Sequence, residues 1–450
     1  MTKLTRIISV LVCAAMLAGC AGAPAAATAE PQAQAPAAQA PEATAAPTES
    51  PATETPAEDV TIKVSLWDAE TSPTFTSVIN AFEAKFPNIK VQPIDTVAAD
   101  YTNKLSVMLN GGSEVDAFWI KDADTIFGMV NKGQTEDLSS RVAASGVNLA
   151  DFNGLADSFQ IDGKLVAMPF RTDYYVLFYN KAVFDAAGVP YPTNDMTWAQ
   201  FEETAKLITA GEGADKKYGA HFHTWQACVE NWGVQDGKNT ILSSDYSFFK
   251  PYYEMALRMQ DVDKTALDYA TLKTSNIHYS SQFYSGNVGM LPMGTWFATT
   301  LIDKIKSGES TATDWGIATL PHPEGTEAGY TVGSTTPIAI NSASTKKDAA
   351  WEFINFVTSE EGAKTIAKDG AFPARLNPDT LSIIVSADGM PEGAADALTV
   401  KNIVLDRPIA DKVTEINQML GEEHGLIMLG ELSVDEGLAE MAERAAEILK

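Results

Sequence analysis

Thr61-Ile62-Lys63-Val64-Ser65-Leu66-Trp67 alternates polar and apolar side chains, the two-residue period of a strand with one buried face. Ser72-Pro73 supplies a helix cap and a first-turn proline; Phe75, Val78, Ile79, Phe82 and Phe86 then recur along one helical face until Pro87 stops it. Ile89-Lys90-Val91-Gln92-Pro93-Ile94 reads as a second strand. Tyr101, Leu105, Met108 and Leu109 mark a second helix closed by Gly111-Gly112, and Val115-Asp116-Ala117-Phe118-Trp119 is a third strand. Strand, helix, strand, helix, strand predicts parallel crossovers in an α/β fold. Ligands of such sheets bind beyond the carboxyl ends of the strands. Trp67-Asp68 and Trp119-Ile120-Lys121-Asp122 stand at two of those ends, so their rings and charges are expected to line a site.

Upstream, Lys3 and Arg6 precede an apolar run from Ile7 to Leu17, followed by Ala18-Gly19-Cys20. A charged start, a short apolar core and small residues read as a secretory leader. The run is too short to span a bilayer. Small residues before a cysteine resemble the lipobox of bacterial lipoproteins, which implies cleavage before Cys20 and acylation of its thiol. Residues 1–19 are then a signal peptide, and 20–59 are the lipidated cysteine and a tether. From Ala21 to Asp59 the chain has no aromatic residue, no Leu, no Lys and no Arg, so it is expected to stay disordered. Its relaxed reach is roughly 35 Å.

The remainder, Val60 to Lys450, is too long for one ordinary core and predicts two lobes, with no later apolar run long enough to cross a membrane. Acidic residues number 59 against 32 Lys and Arg, a formal charge of −27 over 450 residues. Such a surface repels nucleic acid and anionic headgroups. Of the 3 cysteines, Cys13 leaves with the leader and Cys20 is acylated, so Cys228 has no disulfide partner. A lone cysteine of this kind is expected to be a small buried residue.

Further along, Gly163-Lys164-Leu165-Val166-Ala167-Met168-Pro169-Phe170-Arg171 runs into Thr172-Asp173-Tyr174-Tyr175-Val176-Leu177-Phe178-Tyr179-Asn180-Lys181. Phe184, Gly188-Val189-Pro190 and a helix opening at Thr197-Trp198 follow. Phe283-Tyr284-Ser285-Gly286-Asn287-Val288-Gly289-Met290 leads to Gly294-Thr295-Trp296. Trp315-Gly316-Ile317, Gly333-Ser334, a helix from Ala349 to Val357 and Gly370-Ala371-Phe372-Pro373-Ala374-Arg375 come after. In order and spacing this resembles the solute-binding proteins of bacterial sugar ABC importers, the family that includes maltodextrin-binding proteins. The resemblance covers almost all of Val60–Lys450.

It implies a two-lobed periplasmic-binding-protein fold of the Venus-flytrap type (type II). The hinge crossings fall near Arg171–Asp173, Thr331–Gly333 and Gly370–Arg375. Lobe one takes 60–170 plus 333–370, and lobe two 173–330 plus 375–450. The implied function is capture of a sugar between closing lobes and its delivery to permease subunits, by a monomer anchored through its lipid to the outer face of the cytoplasmic membrane. No cofactor and no catalysis are expected. By position, Trp119 and Trp296 match where the family presents aromatics, one from each lobe. Asp122 and Asp173 match carboxylates, and Trp225 lies in another ligand-contacting loop. Trp67, Glu70, Arg171, Ser334 and Arg375 complete the candidate set.

These residue types suit a sugar. Pyranose faces of C–H bonds stack on flat rings, while carboxylates and guanidinium groups bind the hydroxyl rim. Tyr174, Tyr175, Phe178 and Tyr179 read mostly as core, and Trp198 and Trp351 as helix packing. Ala123 stands where the maltodextrin binders carry an arginine, and their late Trp-Tyr pair is missing, which argues against a long α-glucan and for a neutral mono- or oligosaccharide. A secreted glycoside hydrolase also sets carboxylates among aromatics, but no paired-carboxylate motif is present. G-x-S-x-G, H-E-x-x-H and P-loop motifs are absent. His221-x-His223 has no clustered partners, and Asp122-x-Asp124 lacks the glycine and final glutamate of a calcium loop. A sensor-associated solute-binding protein is the remaining alternative.

Overall fold

A computed structural model describes residues 59–69, 73–112 and 114–450. The leader, Cys20, the tether and Glu70 lie outside the described residues.

The first hundred residues of the fold build as their periodicity dictates. β1 (Val60–Trp67) pairs parallel with β2 (Ile89–Thr96), from Val60 opposite Ile89 to Trp67 opposite Thr96. It also pairs parallel with β3 (Ala117–Trp119). The crossovers are α1 (Pro73–Lys85) and α2 (Tyr101–Asn110). Phe75, Val78, Ile79 and Phe82 form the buried stripe of α1, and Tyr101 and Leu105 that of α2. The Tyr101 hydroxyl donates to the carbonyls of Ser65 at 3.1 Å and Trp119 at 2.6 Å, which fixes α2 over the ends of β1 and β3.

A small hairpin, β4 (Gln160–Ile161) and β5 (Lys164–Leu165), leads into the strand that organises the rest. β6 (Met168–Asn180) is 13 residues long. Its first half, to Tyr174, pairs antiparallel with β10 (Tyr330–Ile340). Its second half, from Tyr175, pairs antiparallel with β8 (Val288–Gly294) and β9 (Trp315–Thr319). β7 (Tyr218–Ala220) extends the far edge along β8. β10 returns to β3 at Ile338 opposite Trp119, and its other end carries β11 (Asn402–Leu405). One continuous strand thus belongs to two halves of a sheet path ordered β2-β1-β3-β10-β6-β8-β7. Gly333 allows the close crossing of β6 and β10, because a Cβ there would lie 2.4 Å from the Asp173 carbonyl oxygen.

Two apolar cores back these halves. One gathers Ile62, Phe75, Phe82, Trp119, Phe170 and Phe353. The other gathers Leu177, Phe201, Trp232, Phe249, Tyr253 and Leu420. Trp198 and Trp351 are buried, Trp198 stacked on Trp232 at 4.6 Å. Tyr174, Tyr175, Phe178 and Tyr179 are all buried. Cys228 is buried and free, and burial pushes its thiol up to about 12. No helix among the described residues is long and apolar enough to cross a membrane.

Candidate functional site

The residues just past the carboxyl ends of β3, β8 and β11 converge on one cavity of about 360 Å³. β3 delivers Lys121, Asp122 and, on a short turn, Asp124; β11 delivers Asp406 and Arg407. Ser334, Thr335 and Thr336 of β10 form its floor. Tyr175, Trp225 and Trp296 supply the aromatic wall.

That wall is held from behind. Gly294 ends β8, and a Cβ on it would fall 1.9 Å from the Trp296 ring, so only glycine leaves space for the ring to fold back. The Trp296 indole N–H donates to the Tyr279 hydroxyl at 3.0 Å, and its ring meets Tyr175 edge-on at 5.6 Å. Tyr279 also packs edge-on against Trp225 at 5.7 Å. Trp225 is 39 % exposed, high for a tryptophan, and His223 braces its other side at 4.6 Å. His223 and His221 are buried and stay neutral: desolvation lowers them to about 4 and about 3.

The polar groups are placed with equal definition. Asp122 accepts from the Thr102 hydroxyl at 2.7 Å and lies 3.7 Å from the Lys121 ammonium. Asp124 accepts from Thr414 at 3.1 Å, joining the turn after β3 to the helix Val413–Met428. Asp406 is partly exposed inside the cavity, yet crowding by protein raises its carboxyl, with Arg407 opposing.

Beside this cavity, and sharing Trp296 with it, lies a second of about 250 Å³ that contains Arg171 and Asp173. Burial raises Asp173 above the usual carboxylate range, against the pull of Arg171 and of a 3.1 Å hydrogen bond from Thr295. Burial likewise lowers Arg171, against the pull of Asp173.

Of the residues expected from sequence, Asp122, Trp225, Trp296 and Ser334 share the larger cavity, and Arg171, Asp173 and Trp296 share the smaller. Trp119 is elsewhere. It is fully buried, with Phe75, Phe170 and Phe353 rings 4.7, 5.3 and 5.7 Å away, and cannot present a face to a ligand. Trp67 is also core: it packs on Phe75 and Tyr101, and the Arg171 guanidinium sits over its ring at 5.8 Å. Arg375 turns away to pair with Asp151 at 3.2 Å and to cover the Phe152 ring. Sequence reasoning missed Tyr175, Asp406 and Arg407. The last two carried a signal, a charged pair directly after the apolar run Ile403-Val404-Leu405. Among the described residues no three His, Cys, Asp or Glu side chains are placed to hold a metal ion.

The arrangement offers flat apolar rings together with carboxylates, hydroxyls and cations, a combination chemically suited to a polyhydroxylated ring. Comparison with known proteins agrees in kind. A family model for bacterial extracellular solute-binding proteins matches residues 68–364. A sugar transporter from Rhizobium etli, solved in an open conformation, is 44 % identical, with a TM-score of 0.83 over 86 % of this chain and 99 % of its own. An ABC substrate-binding protein from Listeria monocytogenes, in complex with cycloalternan, is 23 % identical, with a TM-score of 0.70 over 87 % of this chain and 99 % of its own. An sn-glycerol-3-phosphate-binding periplasmic protein of Brucella melitensis is 26 % identical over 226 residues, 48 % of this chain and 50 % of that one.

Proposed function

The chain belongs to the bacterial extracellular solute-binding proteins, and from that membership we propose that it captures a carbohydrate between two closing lobes and delivers it to the permease of an ABC importer. The observation that carries the reading is the pairing of two partly exposed tryptophans, Trp225 and Trp296, with Asp122, Asp406 and Arg407 around one cavity. Rings take the C–H faces of a sugar, and the charged groups take its hydroxyls in charge-assisted hydrogen bonds. Because the contacts come from both sides of the β6–β10 crossing, ligand binds the closed arrangement more tightly and shifts the population toward it. The solute-binding proteins of Rhizobium and Listeria, a sugar transporter and a cycloalternan complex, support the ligand class.

A phosphate ligand, as in the Brucella relative, fits less well. Asp122, Asp124 and Asp406 outnumber Lys121 and Arg407 around the cavity, so a dianion meets net repulsion. We further propose that acylated Cys20 holds the protein, as a monomer, at the outer face of the cytoplasmic membrane, on the strength of the leader and the small residues before that cysteine.

A thermal-shift panel of neutral sugars, glycerol phosphates, amino acids and polyamines tests the ligand class. A ligand that binds only the folded state at 100 times its Kd stabilises by about 2.7 kcal/mol, which moves the melting temperature by several degrees. A neutral sugar is expected to give that shift. A shift from glycerol 3-phosphate or an amino acid alone overturns the reading.

A further inference from the structure

His278 does not line either cavity, yet it starts the short helix Tyr279–Tyr284 on which the aromatic wall depends. Its backbone is extended, at φ −84° and ψ 143°, and its ring turns back to cap that helix. Nδ1 accepts from the Ser280 backbone N–H at 3.4 Å and shares a 2.7 Å hydrogen bond with the Ser280 hydroxyl. A backbone N–H can only donate, so this hydrogen bond assigns the neutral ring with its hydrogen on Nε2. The first residue of the helix is Tyr279. Its hydroxyl accepts from the Trp296 indole at 3.0 Å, its ring packs on Trp225 at 5.7 Å, and both tryptophans line the larger cavity. A chain of direct contacts thus runs from an exposed imidazole to both tryptophans of the wall.

Protonation breaks that chain at its first link. A proton on Nδ1 removes the lone pair that accepts from Ser280, and two donors then face each other. The cation gains some attraction to the Tyr279 ring, 4.2 Å away, but the cap is lost. The titratable neighbours are Tyr279 itself and His223, 5.2 Å away in the segment after β7. His221 lies behind His223 at 6.4 Å, and Lys273 of the helix Tyr269–Thr274 acts on His223. Among the described residues no carboxylate pairs with His278. Burial lowers the His278 imidazole from its ordinary 6.5, while His223 and His221 fall to about 4 and about 3. His278 is therefore the first of the cluster to take up a proton as pH falls. An imidazole lowered on folding is neutral above its ordinary value and loses that form as pH falls through its folded one. The cap is complete at neutral pH and lost in acid.

We propose that His278 is a positioning residue for ligand binding: its neutral ring holds Tyr279, and through it Trp225 and Trp296, so that acidification releases the ligand. This rests on the reading above in taking the two tryptophans as the ligand platform. Only molecules with the wall in place bind, so apparent affinity falls in proportion to their fraction.

The test compares the wild type with His278→Asn, whose side chain caps a helix without titrating, and His278→Ala, which cannot cap. Imidazole and indole proton resonances of the sugar-free protein are followed from about pH 7.5 to about pH 5. Glucose, galactose and maltose are titrated calorimetrically at both ends of that range. In the wild type the Trp296 indole signal should move in step with the His278 titration. Any of these sugars that binds should weaken about fivefold at the acid end. In His278→Asn the indole signal should stay in place and affinity should hold within about twofold. His278→Ala should bind weakly at both ends; if it does not fold, His278→Asn decides alone. A Trp296 indole that ignores His278 protonation, or moves equally in His278→Asn, overturns the positioning role and leaves the carbohydrate reading intact. Affinity that falls alike in the wild type and His278→Asn does the same. If none of the three sugars binds, the indole signal still decides the positioning role, and the failure counts against the carbohydrate reading instead.

Discussion

Trp119 and Trp296 both stand at or just past the carboxyl end of a strand, in different halves of the sheet path, and the protein uses them in opposite ways. Trp119 ends β3 and is fully buried. Its indole N–H has no hydrogen-bond partner among the described residues. Trp296 follows β8 by two residues, stays partly exposed, and has its indole N–H satisfied by Tyr279. The difference comes from what covers each strand end. β3 lies inside the sheet between β1 and β10, and α1 brings Phe75 onto its end while β6 and the helix Lys347–Val357 bring Phe170 and Phe353. Among the described residues nothing equivalent covers Trp296: Gly294 lets the ring lie back on its own strand, and the side chain stays partly exposed and lines the cavity. A strand end locates a site, but the coverage of that end decides whether an aromatic there serves stability or binding.

Truncation separates the two roles most strongly. Trp119→Ala removes a fully enclosed aromatic and should cost about 3–5 kcal/mol of stability, read as a lowered urea midpoint. Sugar affinity of the fraction still folded should be unchanged. Trp296→Ala should do the reverse: affinity falls by about 2 kcal/mol or more, roughly thirtyfold, in a titration, and the apo melting temperature moves little. If the Trp119 variant lost affinity while keeping its midpoint, the contrast would collapse.

The two cores also differ in their response to pH. The core around Trp119 is aromatic and aliphatic, whereas the other encloses Glu230, Tyr253 and His424 in a chain. The Tyr253 hydroxyl lies 2.7 Å from a Glu230 oxygen and 3.1 Å from His424 Nδ1. Burial raises the Glu230 carboxyl from 4.5 to about 8 and lowers the His424 imidazole to about 3. The Tyr253 hydroxyl donates to the Glu230 carboxyl and shares a second hydrogen bond with the neutral His424 ring. A carboxyl raised on folding contributes stability that is complete below its unfolded value, near 4.5, and is lost as pH climbs through about 8. Between pH 5 and 8 the wild type should lose about 1.4 kcal/mol per pH unit relative to Glu230→Gln. Parallel denaturation curves for the two proteins across that range would remove Glu230 as the cause.

Much of this was legible in the chain. β1, α1, β2, α2 and β3 announce themselves because each carries its own period: alternation in Thr61–Trp67, a single apolar face from Phe75 to Phe82. Trp225, Trp296, Asp122, Asp173 and Ser334 were legible through motif order, and the structure places each on one of the two cavities. The burial of Trp119 was not legible, since Phe170 and Phe353, which enclose it, are distant in sequence and arrive by topology. Tyr175 was hidden for a related reason. It is buried by neighbours yet has an edge on the cavity, and alternation along β6 reports only the face, not the exposure at its end.

The subtlest test concerns what holds the exposed aromatics in place. Tyr279 accepts from the Trp296 indole and packs on Trp225, so it couples both faces of the proposed sugar platform without lining the larger cavity itself. Tyr279→Phe keeps the ring contacts and removes only the acceptor. A single neutral hydrogen bond is worth about 0.5–1.5 kcal/mol, so sugar affinity should weaken about two- to tenfold. Tryptophan fluorescence should show the mechanism: the Trp296 emission of the apo variant should shift as its N–H exchanges a fixed partner for solvent. Tyr279→Ala should weaken binding further because it also frees Trp225. Equal losses in the Phe and Ala variants would assign the whole effect to the hydrogen bond and none to the packing. Full affinity in the Phe variant would mean that Gly294 and Tyr175 alone suffice to hold the ring.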